Sequence, residues 1–285
     1  MKHYFFAFIL ITYFAASCDV LEVADFTNYP VKIEPLELEE LVALNETYKV
    51  ENAGHICSTL NEYGYTGFSR VLFPNDENPC LSREIVRKEI FYSDYLITKS
   101  KSSLLKNKIY TNVMDTSALE VIDIVPLYGC IICEGPEENS VPLEYKISFG
   151  IQKIDKSEVR DTELTVFIDS VGVNRIWGNW YPDFQSPGLI NVGYLEAQKI
   201  MIGWQIDMLL LTGEDIVFEV MEANLEETPI FEYIPFINDQ ILELRKTWKV
   251  PISYTDDSFD GWYANVDVID GLLLSVVPIN EEIDF

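Results

Sequence analysis

The feature that most constrains this chain is the dipeptide Asp270-Gly271, set between two apolar runs, Trp262 to Ile269 and Leu272 to Val277. Asp-Gly between alternating apolar residues is a strong short-range signal for an antiparallel hairpin. The tight turn that matches strand twist needs positive φ at its two central residues. The spacing predicts strands 262–269 and 272–277 joined by a two-residue turn. That register sets Ile269 opposite Leu272, Val268 opposite Leu273 and Val266 opposite Ser275. Val266, Val268, Leu273 and Val277 would then share an uncharged face, suited to packing on a helix over 192–204.

Other segments read the same way. Tyr145 to Lys153 and Thr162 to Asp169 alternate apolar and polar residues around a polar turn, Asp155 to Ser157. Val171 to Trp180 and Ile216 to Met221 read as further strands. Leu242 to Tyr254 is extended in part, because Val250 precedes Pro251. Two helices are expected. Ser82 caps one of about twenty residues, with Ile85, Ile90 and Leu96 inward and Arg83, Arg87 and Lys88 outward. Its solvated end is the basic run Lys99 to Lys108. Asn191 caps the other, with Val192, Leu195, Met201 and Trp204 on its inner face. The fold class is therefore α+β, with antiparallel hairpins and sheet packed against at least two helices.

Charge removes whole classes of function. Asp and Glu number 47 against 20 Lys and Arg, a formal net charge of −27. Such a chain repels phosphate backbones, so no nucleic-acid partner is expected. Anionic lipid headgroups repel it too, so membrane association has to come through a lipid anchor. The only histidines are His3 and His55, too few for zinc sites built on several histidines. No P-loop, GxGxxG, GxSxG or HExxH occurs, and no cofactor is expected. Ser103-Leu-Leu-Lys106 matches S-x-x-K, but no S-D-N or K-T-G follows, and it reads as a chance match.

The N-terminus gives an address. Lys2 and His3 precede an apolar run, Tyr4 to Phe14, too short to span a bilayer, and Ala15-Ala16-Ser17 leads into Cys18. This resembles a bacterial lipoprotein signal, with Ala15 where Leu is most common. The resemblance implies cleavage before Cys18 and lipidation of its thiol. The expected organisation is a signal over 1–17, an acidic tether and short element over 18–56, and an α+β region over 57–285. An ordinary secretory signal or a retained anchor are the alternatives. The expected location is the bacterial cell envelope, exported and membrane-anchored. Removing residues 1–17 takes away Lys2 alone, so −27 becomes −28.

Cys57, Cys80, Cys130 and Cys133 remain, an even number that suits disulfides in an exported protein, with three pairings open. Cys130 and Cys133 form a CxxC, which raises the alternative of an exported thiol oxidoreductase. That chemistry wants a helix N-terminus. Here a strand-like run precedes the motif and the acidic Glu134-Gly-Pro-Glu-Glu138 follows it.

Two clusters could bind ligands. Trp177, Trp180 and Tyr181, beside Asp183 and Phe184, would suit sugar or peptide binding if exposed, and core packing if not. They motivate the alternative of a carbohydrate-binding or glycan-processing lipoprotein. Asp256, Ser258, Asp260 and Asp267, with Gly261 at the turn, have an EF-hand-like spacing for calcium. Strand-like flanks, Ser at the third position and Asp at the twelfth depart from it, and the bland reading is a solvated hairpin tip.

Taken in order, several motifs resemble the PepSY and peptidase-propeptide superfamily. They are Val166-Phe-Ile-Asp169-Ser-Val-Gly172-Val173, then Glu196-Ala197, Trp248-Lys-Val250 and Val266-Asp267-Val-Ile-Asp270-Gly271-Leu-Leu-Leu274. The match spans roughly residues 82–278, with a long interval between Ala197 and Trp248. The resemblance implies a non-enzymatic fold that chaperones or inhibits extracellular peptidases and carries no catalytic residues. The expected function is that of a lipid-anchored module binding a protein or peptide.

Overall fold

Helix α1 (Leu38–Glu51) carries Glu39 and Glu40 in its first turn and Lys49 in its last, the order a helix dipole favours. Leu41, Asn45 and Tyr48 face inward at i, i+4 and i+7. Helix α2 (Ser93–Lys106) buries Leu96, Ser100 and Leu104, and a single turn, α3 (Lys108–Thr111), follows it. Helix α4 (Tyr194–Met201) buries Ala197 and Met201. The computed structural model describes residues 29–67, 92–130, 140–184, 186–208, 215–256 and 259–279.

The strands in chain order begin with β1 (Val31–Ile33), β2 (Glu120–Cys130), β3 (Ser140–Gly150), β4 (Lys153–Ile154) and β5 (Ser157–Val159). Next come β6 (Glu163–Ile168), β7 (Val173–Asn179), β8 (Gln205–Asp207) and β9 (Val217–Glu219). The chain closes with β10 (Ile230–Asn238), β11 (Ile241–Asp256), β12 (Phe259–Asp267) and β13 (Leu273–Pro278). One antiparallel sheet runs β2-β3-β6-β7. A second runs β13-β12-β11-β10-β5-β4, and β8 pairs with β9 apart from both. The β4–β5 hairpin interrupts the first sheet in sequence yet joins the second, where β5 lies parallel to β10.

Period two sorts the side chains. On the first sheet Ile147, Phe149, Leu164, Val166, Ile168 and Ile176 face α1 and α2, in a core shared with Tyr48, Leu96 and Leu104. Each such burial contributes roughly 1.5–3 kcal/mol relative to exposure. On the second sheet Val250, Ile252, Trp262, Ala264 and Val266 pack with Ala197 and Met201 of α4. The expected α+β class is the fold observed, with helices laid on antiparallel sheets.

Strand β11 is long enough to hold two partners on one side. β12 pairs with it from Thr247 onward, and β1 takes over at residues 242–244. Between them sits Lys246, whose carbonyl accepts from Val268 N at 3.1 Å, just past β12, while its N–H reaches neither strand. The Tyr29 hydroxyl fills this gap, accepting from Lys246 N at 2.9 Å and donating to Asp267 Oδ2 at 2.8 Å. From Tyr29 onward the segment read as tether and short element joins the protein through β1 and α1.

The C-terminal hairpin exists, but its turn is longer than expected. Asp267 N donates to Leu272 O at 2.9 Å, enclosing residues 268–271. Gly271 alone has positive φ, at 72°, and Asp270 does not share it. The reason is Asp267: its Oδ1 accepts from Ile269 N at 2.7 Å and Asp270 N at 3.3 Å, coiling the chain right-handed before Gly271 turns it back. The register moves with it. Val266 faces Leu273, not Ser275, and a bulge puts Val277 opposite Tyr263 on the other face. Val266 and Leu273 still join the core of α4, as expected.

Helix α4 departs from its expected inner face. Met201 and the preceding Val192 are buried, but Leu195 is 57% exposed and Trp204 44%. Its N-cap is Gly193, while Asn191 instead donates through its backbone to Val268 O and through its side chain to Ile269 O. Leu96 is buried in α2 as expected, whereas Ser82, Arg83, Ile85, Arg87, Lys88 and Ile90 lie outside the described residues.

Candidate functional site

A sheet ends in two edges, and the first sheet treats its two differently. At β7, Cys57 N donates to Asn174 O at 2.8 Å and Ile176 N donates to Ser58 Oγ at 3.1 Å, so residues 57–58 cover that edge. At β2, no strand among the described residues pairs on the outer side. Outward along it stand Val121 (37% exposed), Ile122 (60%) and Tyr128 (63%).

The sequence of β2 suits an edge. Pro126 has no N–H, which is tolerated where the ladder ends. The pairing with β3 shifts between Val121 and Asp123 and again between Leu127 and Tyr128. Ile122 is the extra residue of the first bulge, and its side chain lies over Gly150, where a Cβ would come within 2.2 Å of it. Between the bulges, residues 123–127 keep a regular register. Glu120 and Asp123 make the strand acidic. A second copy would bring the same acids to the same edge, so self-pairing is disfavoured, whereas a basic, apolar strand is complementary.

The aromatic run 177–184 does not form one surface. Trp177 lies on the outer face of the first sheet, 4.9 Å from the Phe167 ring, and the Arg175 guanidinium sits 4.1 Å over Phe167. Arg175 is ion-paired with Glu144. Trp180 belongs to the core under the first sheet. Tyr181 belongs to another core, and Phe184 meets the Tyr233 ring there at 5.2 Å. Asp183 is exposed. Gln152 clamps the segment, accepting from Tyr181 N at 2.9 Å and donating to Tyr181 O at 2.7 Å. Burial, with Asp161 nearby, pushes the Tyr181 hydroxyl up to about 12.

The calcium set is dispersed. Asp260 and Asp267 stand seven residues apart on β12, roughly 23 Å along a strand, with side chains on opposite faces. Asp267 is fully buried and paired with Arg245 at 3.2 Å. Arg245 also meets Glu243 at 2.7 Å and Asp270 at 3.1 Å. Burial alone would lower its pKa, but Glu243, Asp270 and Asp267 hold it above the ordinary arginine value. The Asp256 and Ser258 side chains lie outside the described residues, and no metal-holding group occurs among those described.

Cys57 is disulfide-bonded, so it has no S–H, and its sulfur rests 3.2 Å from the Asn174 carbonyl. Cys130 ends β2, on a strand and not at a helix start. Cys18, Cys80 and Cys133, like the Cys130 side chain, lie outside the described residues.

Ser103 and Lys106 line a pocket of about 200 Å3 with Asn52, His55, Lys99 and Ser102. Lys106 Nζ donates to Glu51 O at 2.8 Å and Asn52 Oδ1 at 3.3 Å. Its ammonium is aimed at the end of α1, not at Ser103, so the S-x-x-K pair closes a helix terminus.

Sequence reasoning missed two things. It read Ile122 to Tyr128 only as a flank of the CxxC, although Pro126 inside an apolar strand marks an edge. It also gave no role to Arg245, Glu243 and Tyr29, whose partners lie far away in sequence.

No family model matches the chain, and no curated protein does. Among solved structures, the Bacillus megaterium YpeB C-terminal domain is similar at 10% identity, covering 68% of each chain with a TM-score of 0.25. At that TM-score the likeness carries no weight for fold or function.

Proposed function

We propose that this chain is a non-enzymatic, lipid-anchored module outside the cytoplasm, and that it binds a protein or peptide by strand addition at β2. The observation that carries the reading is the open edge of β2, with Val121, Ile122 and Tyr128 exposed while β7 is covered. In strand addition the main chain supplies affinity and alternate side chains supply specificity. Glu120 and Asp123 favour a partner segment that alternates basic and apolar residues.

The anchor at Cys18 rests on the lipoprotein-like signal, and a role beside a peptidase rests on the sequence resemblance to peptidase propeptides. A structural disulfide framework for the remaining cysteines extends the bonded state of Cys57. Pull-down from solubilised native membranes tests the site. A partner retained by the natural protein and by Ile237→Glu, but lost by Ile122→Glu/Tyr128→Glu, supports it. A partner retained by all three rejects β2 as the site.

A further inference from the structure

The apolar residues left uncovered around α4 are not scattered. Leu189 and Ile190 lead into the helix, Tyr194 and Leu195 start it, and Leu272 follows the hairpin turn, all between 40% and 57% exposed. These two segments are joined. Asn191 N and Val192 N both donate to Val268 O, at 3.0 and 2.9 Å, and Asn191 Nδ2 donates to Ile269 O at 3.2 Å. A Cβ on Gly271 would stand 3.5 Å from Val192 and 3.3 Å from Ile200. Residues 191 and 192 therefore lie against the turn that Leu272 follows, with Leu189 and Ile190 just before them and Tyr194 and Leu195 just after.

The chain toward Cys18 leaves from the same place. The Tyr29 hydroxyl donates to one oxygen of Asp267, and the other oxygen accepts from Ile269 N and Asp270 N of that turn. Ten residues, and so eleven Cα steps, separate Tyr29 from Cys18. At a maximum of about 3.6 Å per residue they reach at most roughly 40 Å.

We propose that the rim formed by Leu189, Ile190, Tyr194, Leu195 and Leu272 rests on the membrane surface that holds Cys18. This inference rests on the lipid-anchored reading. The tether supplies a high local concentration of bilayer, so a patch too weak to bind alone can dock. Leu and Ile favour the acyl boundary, and Tyr suits the headgroup level, being apolar at one end and polar at the other. Glu196 and Asp270 at the rim, and the charge of −28 once residues 1–17 are removed (−27 less Lys2), direct the contact to zwitterionic lipid.

The test holds residues 18–285 on phosphatidylcholine vesicles through an N-terminal hexahistidine and a nickel-chelating lipid, and reads amide hydrogen exchange. Docking predicts exchange slowed about threefold or more over 189–195 and at 271–272 relative to the free protein, with residues 114–118 unchanged. Leu195→Glu/Leu272→Glu should stay tethered and lose the slowing. Equal exchange in tethered and free protein, or slowing that survives the double variant, overturns the proposal. This tether does not need acylation, so a negative result leaves the anchor at Cys18 standing. Detergent partitioning of Cys18→Ala tests the anchor separately.

Discussion

The Tyr29 hydroxyl donates a 2.8 Å hydrogen bond to Asp267 Oδ2, across 238 positions of sequence. It ties the first described residue to the strand that ends in the C-terminal turn. The same hydroxyl accepts from Lys246 N in the gap between the stretches of β11 that pair with β1 and with β12. Tyr29→Phe keeps the ring and removes both bonds. The expected loss is about 1–3 kcal/mol, because a buried carboxylate oxygen and a backbone N–H each lose a partner. Urea unfolding of the variant beside the natural protein checks it.

Arg245 faces Glu243 and Asp267, both buried, and the half-exposed Asp270. Arg245→Ala leaves the buried Asp267 carboxylate without its cation and Glu243 with only Lys32, at 3.5 Å, and about 3–5 kcal/mol of stability should go. Arg245→Lys should recover only part of it, since an ammonium lacks the planar fork that meets three carboxylates. Equal midpoints for Arg245→Ala and the natural protein in urea would contradict this reading.

Gly271 turns the hairpin with φ of 72°. A β-branched side chain is strained there, so Gly271→Val should cost about 1–3 kcal/mol. Gly271→Asn should cost much less, because Asn tolerates the left-handed region. Thermal midpoints of the two variants give the comparison.

Stability should fall at alkaline pH. Burial, reinforced by Asp267, raises the Tyr29 hydroxyl, and burial with Asp161 raises Tyr181 to about 12. An unfolded tyrosine ionises near pH 10. The folded state therefore holds these protons more tightly than the unfolded state. Their contribution is complete below about pH 10 and is lost as pH rises, for Tyr181 through about 12. Tyr181→Phe should flatten the decline between pH 10 and about 12, as followed by urea midpoints across that range.

The sequence was most informative where structure is local. Asp270-Gly271 marked the hairpin, and alternation in 162–169 marked β6, because both signals sit within a few residues. The turn's length was not legible, because it depends on Asp267 capping two amides while Arg245 and Tyr29 hold its other oxygen. Alternation gave Trp180 and Tyr181 no address, since each joins a different core through tertiary contacts. Leu195 and Trp204 looked inward on helical spacing, yet α4 is only eight residues long and turns Ala197 and Met201 to the sheet. The edge status of β2 follows from which strands pair, a property of the whole sheet, and only Pro126 hinted at it.

Hydrogen exchange on residues 18–285, with and without a hexapeptide of alternating lysine and valine, tests strand addition at β2 most directly. The account predicts slowed exchange within residues 121–128, lost in Ile122→Glu/Tyr128→Glu. Peptide binding that protects β13 instead, or leaves the β2 amides unchanged, would contradict it.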